Sequence, residues 1–313
     1  MTGFTQLLCL CFFQMVTAPL VIVERSIDMS KIGLIVEGGG MKCAYSAGVL
    51  DKFLDDSVSF DYAIGVSAGS ANLCSYLAGQ RERNLRYYTE HLKKPGYFGL
   101  KSFLTTGNIF GLDFIYGTLS NSNGADPIDY PALASDPTEF TIVATDARTG
   151  KPHYFSKDEL KQDDYSVIKA SCALPGICRP VEVNGQYYFD GGVTDAIPVQ
   201  HALDNGCDKL VIILSKNRNF IKQPEKHRLL YSFLCRKYPK TIQAIDRRHL
   251  MYQKCQSLAY ELERQKKAFI FAPSESISMS TYSMDIAVEH TLYELGIRDY
   301  QSRSEQFCQF LRE

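Results

Sequence analysis

Five short stretches of the chain are apolar at nearly every position: Ile32-Gly33-Leu34-Ile35-Val36, Tyr62-Ala63-Ile64, the centre of Glu139–Thr145, Leu210-Val211-Ile212-Ile213-Leu214 and Ala268-Phe269-Ile270-Phe271-Ala272. Such runs predict strands buried on both faces, because a strand with one wet face would alternate apolar and polar residues. Helical spacing appears between them. Tyr45, Val49, Leu50, Phe53 and Leu54 fall on one face of a helix after the first strand, and a second helix is expected over 68–80, ending near Gly79. Strand and helix alternating in this way predict an α/β fold: a three-layer α/β/α, Rossmann-like arrangement with a mostly parallel central sheet.

Further along, the turn Thr149–Pro152 leads into a strand at 153–155, and a helix over 164–173 stops at Leu174-Pro175-Gly176. Arg179–Val183 and Gln186–Phe189 flank Asn184-Gly185, the pair that supplies the positive φ angles of a tight hairpin turn. A short helix over 198–205 is stopped by Gly206, and the chain beyond 216 is mainly helical. A long helix is expected to about 267, with two more at 284–295 and 299–312. Residues 95–120 are rich in glycine and aromatics without clean periodicity, which suits either a mobile apolar wall over a greasy ligand or ordinary core packing.

Length and composition set the limits. With 313 residues, 45% of them hydrophobic, the chain can bury a sizeable core. No linker long enough to separate domains and no internal repeat is present, so residues 29–313 are expected to form one domain with a helical C-terminal part from about 216. Residues 4–23 are apolar but interrupted by Thr5, Gln6, Gln14, Thr17 and Pro19, and no Lys or Arg precedes them. That pattern fits a signal peptide or a spanning helix poorly. Met29-Ser30-Lys31 resembles a start site, so 1–28 is an N-terminal extension of uncertain status. Ten scattered cysteines, with no C-x-x-C pair and no ligand-like grouping with histidine, suggest reduced thiols in a cytoplasmic protein. No metal or cofactor is expected.

The net charge is −1, which excludes a chain that is basic throughout. Charge is nevertheless uneven. Residues 216–254 hold eleven Lys or Arg against Glu225 and Asp246, a local formal charge of +9. This stretch is either a solvated helical face or, with Phe220, Leu229, Leu230, Phe233 and Leu234, a peripheral docking surface for anionic membrane. Nucleic acid is not an expected partner: the Gly-rich loop lacks the G-x-G-x-x-G and Gly-Lys-Ser/Thr patterns. The oligomeric state is left open.

Candidate chemistry begins at Gly65-Val66-Ser67-Ala68-Gly69, a G-x-S-x-G sequence placed directly after a predicted strand. A serine on a sharp strand-to-helix turn exposes its hydroxyl, and small neighbours are needed where other backbones crowd it. The motif is common enough by chance that it needs support. Glu37-Gly38-Gly39-Gly40-Met41-Lys42 follows the first strand and is either a flexible turn or a cradle of backbone N–H groups for an anion. Asp190-Gly191-Gly192 closes the predicted hairpin, with two glycines that let another backbone come near.

These three motifs, in this order, resemble the patatin-like phospholipase family in its bacterial form. The likeness runs from about Ile32 to the C-terminal helices and includes Ala170-Ser171-Cys172-Ala173-Leu174-Pro175 and the segment Asp190 to Val199. The resemblance implies an acyl hydrolase for lipid or acyl-ester substrates, with a Ser-Asp dyad of Ser67 as nucleophile and Asp190 as base. It also implies an oxyanion hole at Gly38, Gly39 and Gly40, with Lys42 either an electropositive support for it or a surface cation after the loop. One departure is Cys43, where many members carry glycine, which puts the geometry of that loop in question. Two other readings stand beside it: a Ser-Asp-His esterase using His249 or His290, and a lipid-binding protein without turnover.

Overall fold

The computed structural model describes residues 30–277 and 284–313; the expected extension 1–28 lies outside the described residues. The strands are β1 (Ile32–Val36), β2 (Tyr62–Val66), β3 (Glu139–Asp146), β4 (Pro152–Ser156), β5 (Val181–Val183), β6 (Gln186–Asp190), β7 (Lys209–Ile213) and β8 (Ala268–Phe271). The helices are α1 (Ala44–Asp55), α2 (Ala68–Leu77), α3 (Arg83–Tyr88), α4 (Leu100–Thr106), α5 (Tyr130–Ser135), α6 (Ser166–Cys172), α7 (Val199–Asp204), α8 (Arg228–Leu234), α9 (Pro239–Arg264) and α10 (Ile286–Arg312).

All the strands join one sheet, and β3, β2, β1, β7 and β8 are parallel neighbours in that order. β4, β5 and β6 pair antiparallel, so the sheet is mixed around the expected, mostly parallel centre. Side-chain alternation explains why runs apolar at every position were needed. Leu34, Ile142, Val211 and Phe271 face a core with α1, α2, α6 and α10, while Ile35, Ile64, Ile212 and Ile270 face another with α7 and α9. Two cores on opposite faces make the three-layer α/β/α sandwich.

The pairing around β3 positions the site. β4 pairs with Thr141–Thr145 and overlaps the residues bound by both β2 and β6, so β2 and β6 must share the opposite edge. On that edge Val66 of β2 is opposite Val143 and Asp190 of β6 is opposite Ala144. The two strands run toward each other and stop one rung apart.

Two helices expected at 284–295 and 299–312 are a single helix, α10, which crosses α1 closely. A Cβ at Gly296 would lie 2.2 Å from the Tyr45 carbonyl oxygen, and one at Gly48 would lie 2.1 Å from that of Tyr293. Gly296, at the expected break, therefore serves close helix packing and not termination. Hydroxyls fasten the contact: Tyr45 donates to Asp299 at 3.0 Å, Tyr293 to Asp51 at 2.7 Å and Tyr300 to Asp56 at 2.6 Å. The long helix expected to about 267 is α9, which ends at Arg264; Pro239 occupies its first turn, and α8 precedes it as a separate short helix.

Candidate active site

Ser67 lies between the end of β2 and the start of α2 with φ +54° and ψ −131°, a conformation rare for any residue but glycine. The neighbouring backbones impose it. A Cβ at Gly65 would come 2.5 Å from Ser70 Cα, and one at Gly69 would come 2.4 Å from the Val36 carbonyl oxygen. The Ser67 amide donates to Ser171 Oγ at 2.8 Å, and that hydroxyl donates in turn to the Val143 carbonyl at 2.6 Å. Ser70 Oγ donates to the Ser67 carbonyl at 2.6 Å, so both sides of the strained residue are held.

Ser67 Oγ donates to Asp190 Oδ2 at 2.6 Å. The other carboxylate oxygen, Oδ1, accepts the Gly192 amide at 2.7 Å. Asp190 is buried, its amide donates to the Ala173 carbonyl at 2.9 Å, and its own carbonyl accepts Thr145 Oγ1 at 2.8 Å. Burial raises its pKa above the ordinary carboxylate value, opposed by the positive charge of Arg248 and by the bonds from Ser67 and Gly192. The result is a carboxylate more basic than a solvated one and in direct contact with the serine hydroxyl.

Gly38, Gly39 and Gly40 line the same cavity as Ser67 and Asp190. A Cβ on Gly38 would lie 2.8 Å from Ser67 Cβ, so the loop passes directly over the serine; Gly40 has φ +57°. The amides of these three glycines make no hydrogen bond to another described residue, which leaves them open to an anion. Beneath the loop, buried Glu37 accepts the Ser215 amide at 2.8 Å and pairs with Lys216. Ser215 Oγ donates to the Gly38 carbonyl at 2.9 Å.

Lys42 does not line the cavity, whereas Lys216 does. Burial, with the charge of Lys216 added, lowers the Lys42 pKa. Cys43 also stays out of the cavity: its buried Sγ turns to the Glu37 carbonyl at 3.5 Å, behind the loop. Neither His249 nor His290 lines the cavity or bonds to Ser67 or Asp190.

The cavity measures about 330 Å³ and is largely apolar. Tyr97, Phe110, Leu112, Ile115 and Tyr116, all from the glycine- and aromatic-rich segment 95–120, form much of its wall. Buried Arg83 also borders it, with its guanidinium held by Ser75, Tyr87, Ser120 and the Asp126 and Pro127 carbonyls. The sequence alone assigns no role to Ser171, Glu37, Lys216 or Arg248. Ser171 had a signal, since it sits in the quoted Ala-Ser-Cys-Ala-Leu-Pro segment; Arg248 had none beyond its charge.

A strained serine bonded to a buried carboxylate under a triple-glycine loop, on a three-layer α/β/α scaffold, defines a serine-carboxylate site facing an apolar cavity. A patatin-like phospholipase profile matches residues 34–203, more than half of the chain, and a domain of unknown function, DUF6363, matches residues 238–312. The chain belongs to the patatin-like phospholipase family.

Relatives agree with that placement. The uncharacterized protein YjjU of Escherichia coli is 32% identical over 191 residues, covering 60% of this chain and 53% of its own length. An uncharacterized NTE family protein of Mycobacterium tuberculosis is 24% identical over 200 residues, covering 64% of this chain and 53% of itself. A lysophospholipase nte1 of Aspergillus terreus is 24% identical over 201 residues, covering 61% of this chain and 12% of itself. The chain thus spans about half the length of the first two relatives. Among described residues no helix is long and apolar enough to cross a membrane, and no group of three or more His, Cys, Asp or Glu could hold a metal ion.

Proposed function

We propose that the protein is a serine acyl hydrolase that cleaves fatty-acyl esters of lipids through Ser67 and Asp190. The observation that carries this reading is the 2.6 Å bond from Ser67 Oγ to the buried carboxylate of Asp190, without a histidine between them. That separation falls in the range of about 2.6–3.2 Å that a general base needs. As Ser67 Oγ attacks the ester carbonyl carbon, its proton passes to Asp190 Oδ2 and the carbonyl oxygen becomes an oxyanion facing the Gly38–Gly40 amides. The N-terminus of α2, directly after Ser67, adds positive potential there. When the carbon–oxygen bond to the alcohol breaks, Asp190 returns the proton to the leaving oxygen and an acyl-Ser67 remains. Water, deprotonated by Asp190, then attacks the acyl carbon, and Ser67 recovers its proton as the fatty acid leaves.

The apolar cavity supports an acyl chain as the group bound, and the lysophospholipase name of a relative favours a lipid ester. A fluorophosphonate probe tests the nucleophile, because only an activated serine forms the covalent adduct. The parent should label and Ser67→Ala should not; Asp190→Asn should lower kcat on a short-chain nitrophenyl ester by about 10²–10⁴. Labelling at another residue, or near-parental turnover in either variant, rejects the dyad. A parent that neither labels nor turns over esters would be a lipid-binding protein of the same fold.

A further inference from the structure

The face of α8, together with the groove beneath it, is unlike the rest of the surface. Leu229 is 88% exposed, Phe233 64%, Leu230 58% and Leu234 48%, while Tyr231 and Cys235 of the same segment turn inward. Ile221, 64% exposed, and Leu230 line a groove of about 520 Å³ whose other side is the loop Leu174–Ile177. Leu174, Lys222, Glu225 and Arg248 border both this groove and the Ser67 cavity, so the two spaces adjoin. Lys226, Arg236, Lys237 and Lys240 are exposed around α8 and make no ion pair with a described acid.

We propose that α8 and its groove form a docking surface for an anionic lipid bilayer, from which a lipid enters the adjoining Ser67 cavity. Only the entry step rests on the hydrolase reading above. Water pays for a cluster of exposed leucine and phenylalanine, and an acyl layer removes that cost. Cations around an apolar face draw it to a negatively charged membrane surface. A second copy of the chain would instead set these same cations against each other.

The test uses the full chain carrying Ser67→Ala, so that no lipid is consumed, and flotation with two vesicles: phosphatidylcholine alone, and equal parts phosphatidylcholine and phosphatidylserine. The protein should float with the mixed vesicles, weakly with the neutral ones, and less as salt is raised. Leu229→Glu with Phe233→Glu should weaken binding by about tenfold or more, while in the Ser67 background turnover of a soluble short-chain ester stays within about twofold. Absent flotation, equal flotation by the double variant, or a parental dimer in light scattering that this variant dissolves would overturn the proposal. Loss of soluble-ester turnover in the parent would instead defeat the hydrolase reading and leave vesicle binding standing.

A separate set of contacts assigns Arg248 of α9 as a positioning residue for Asp190. Its Nε donates to the Gly192 carbonyl at 2.6 Å, the Gly192 amide donates to Asp190 Oδ1 at 2.7 Å, and Oδ2 is left for Ser67. Glu225 holds Nη1 at 3.0 Å. A Cβ on Gly192 would meet Asp190 Oδ1 at 3.1 Å and Arg248 Nη2 at 3.3 Å, so the glycine lies tightly between the two side chains. Arg248 lies outside the phospholipase match and inside the segment of unknown function, which thereby contributes to the site.

Arg248→Met should lower kcat on the soluble ester about tenfold or more with KM little changed, and move the acidic limb of kcat/KM to higher pH as Asp190 loses the cation that most opposes the rise in its pKa. Arg248→Lys, which keeps the charge without the fork, should hold the limb near the parental pH and restore kcat only in part. A folded Met variant with the parental limb, or a Lys variant with full parental kcat, would overturn this role. The Lys variant decides alone if Met prevents folding.

Discussion

Glu289 should make the protein less stable at neutral pH than a glutamine would. It lies in the first turn of α10, fully buried, and neither carboxylate oxygen has a hydrogen-bond partner among the described residues. Burial, with a smaller contribution from the charge of Asp285, pushes its pKa from 4.5 to about 9. The cavity-lining Tyr88 and Tyr97 lie within its field. At pH 7 the side chain is therefore neutral when folded and ionised when unfolded, and folding must take up a proton. The pKa is raised on folding, so this contribution is full below pH 4.5, falls as pH rises, and levels off beyond about 9. At pH 7 the cost is about 3 kcal/mol, from 1.36 kcal/mol per unit between 4.5 and 7. Glu289→Gln removes the ionisation while keeping an uncharged polar group of the same shape. Urea denaturation of both proteins across a pH series should show the variant more stable by about 3 kcal/mol near neutrality, with the gap closing toward pH 4.5. A gap that stays constant with pH would refute the reasoning, because it would mean that Glu289 finds a charge partner or solvent in the folded state.

Gly38→Ala would place a methyl 2.7 Å from the Val66 carbonyl oxygen and force the loop away from Ser67. Turnover of a soluble ester should fall by about 10²–10³, the loss seen when one oxyanion donor is displaced, and parental kcat would remove the loop from the chemistry. Gly296→Ala pushes α10 off the Tyr45 carbonyl, and a cost of about 1–3 kcal/mol should appear as a lower midpoint in urea; an unchanged midpoint would mean the helices are not in close contact there. The acidic limb of kcat/KM should lie above the ordinary aspartate value of about 3.9, since Asp190 must be ionised to act and burial raises its pKa. A limb at or below that value would point to a solvated carboxylate.

β1, β2, β7 and β8 were legible because these strands are sealed on both faces, which forces apolar residues at consecutive positions. Gly65, Gly69, Gly38 and Gly39 were legible for a similar reason: a backbone or side-chain atom occupies the place where a Cβ would be, while Gly40 adopts a positive φ of +57°. What could not be read was how one part of the chain lies against another. Nothing local to Gly296 distinguishes a helix stop from a helix crossing, and the expected break in α10 fell there. Arg248 is one of eleven cations in its stretch, and only the docking of α9 against Gly192 separates it from the solvated ones. The resemblance alone pointed to Lys42, but a helical turn at Gly40–Cys43 keeps it out of the cavity, while Lys216, beyond the end of a distant strand, lines it.

The meeting of β2 and β6 along one edge of β3 gives the site an all-or-none character. The gap between Ser67 and Asp190 is measured out by a single step of a hydrogen-bonded ladder, from Val143 to Ala144, and not by a loop that can stretch. Shifting β6 by one residue would displace Asp190 by about 3.3 Å and turn its side chain to the opposite face of the sheet. Such a sheet has no slightly misaligned setting to pass through. Mutations that loosen the surrounding helices should therefore reduce the fraction of molecules that are competent before they reduce the rate of each one.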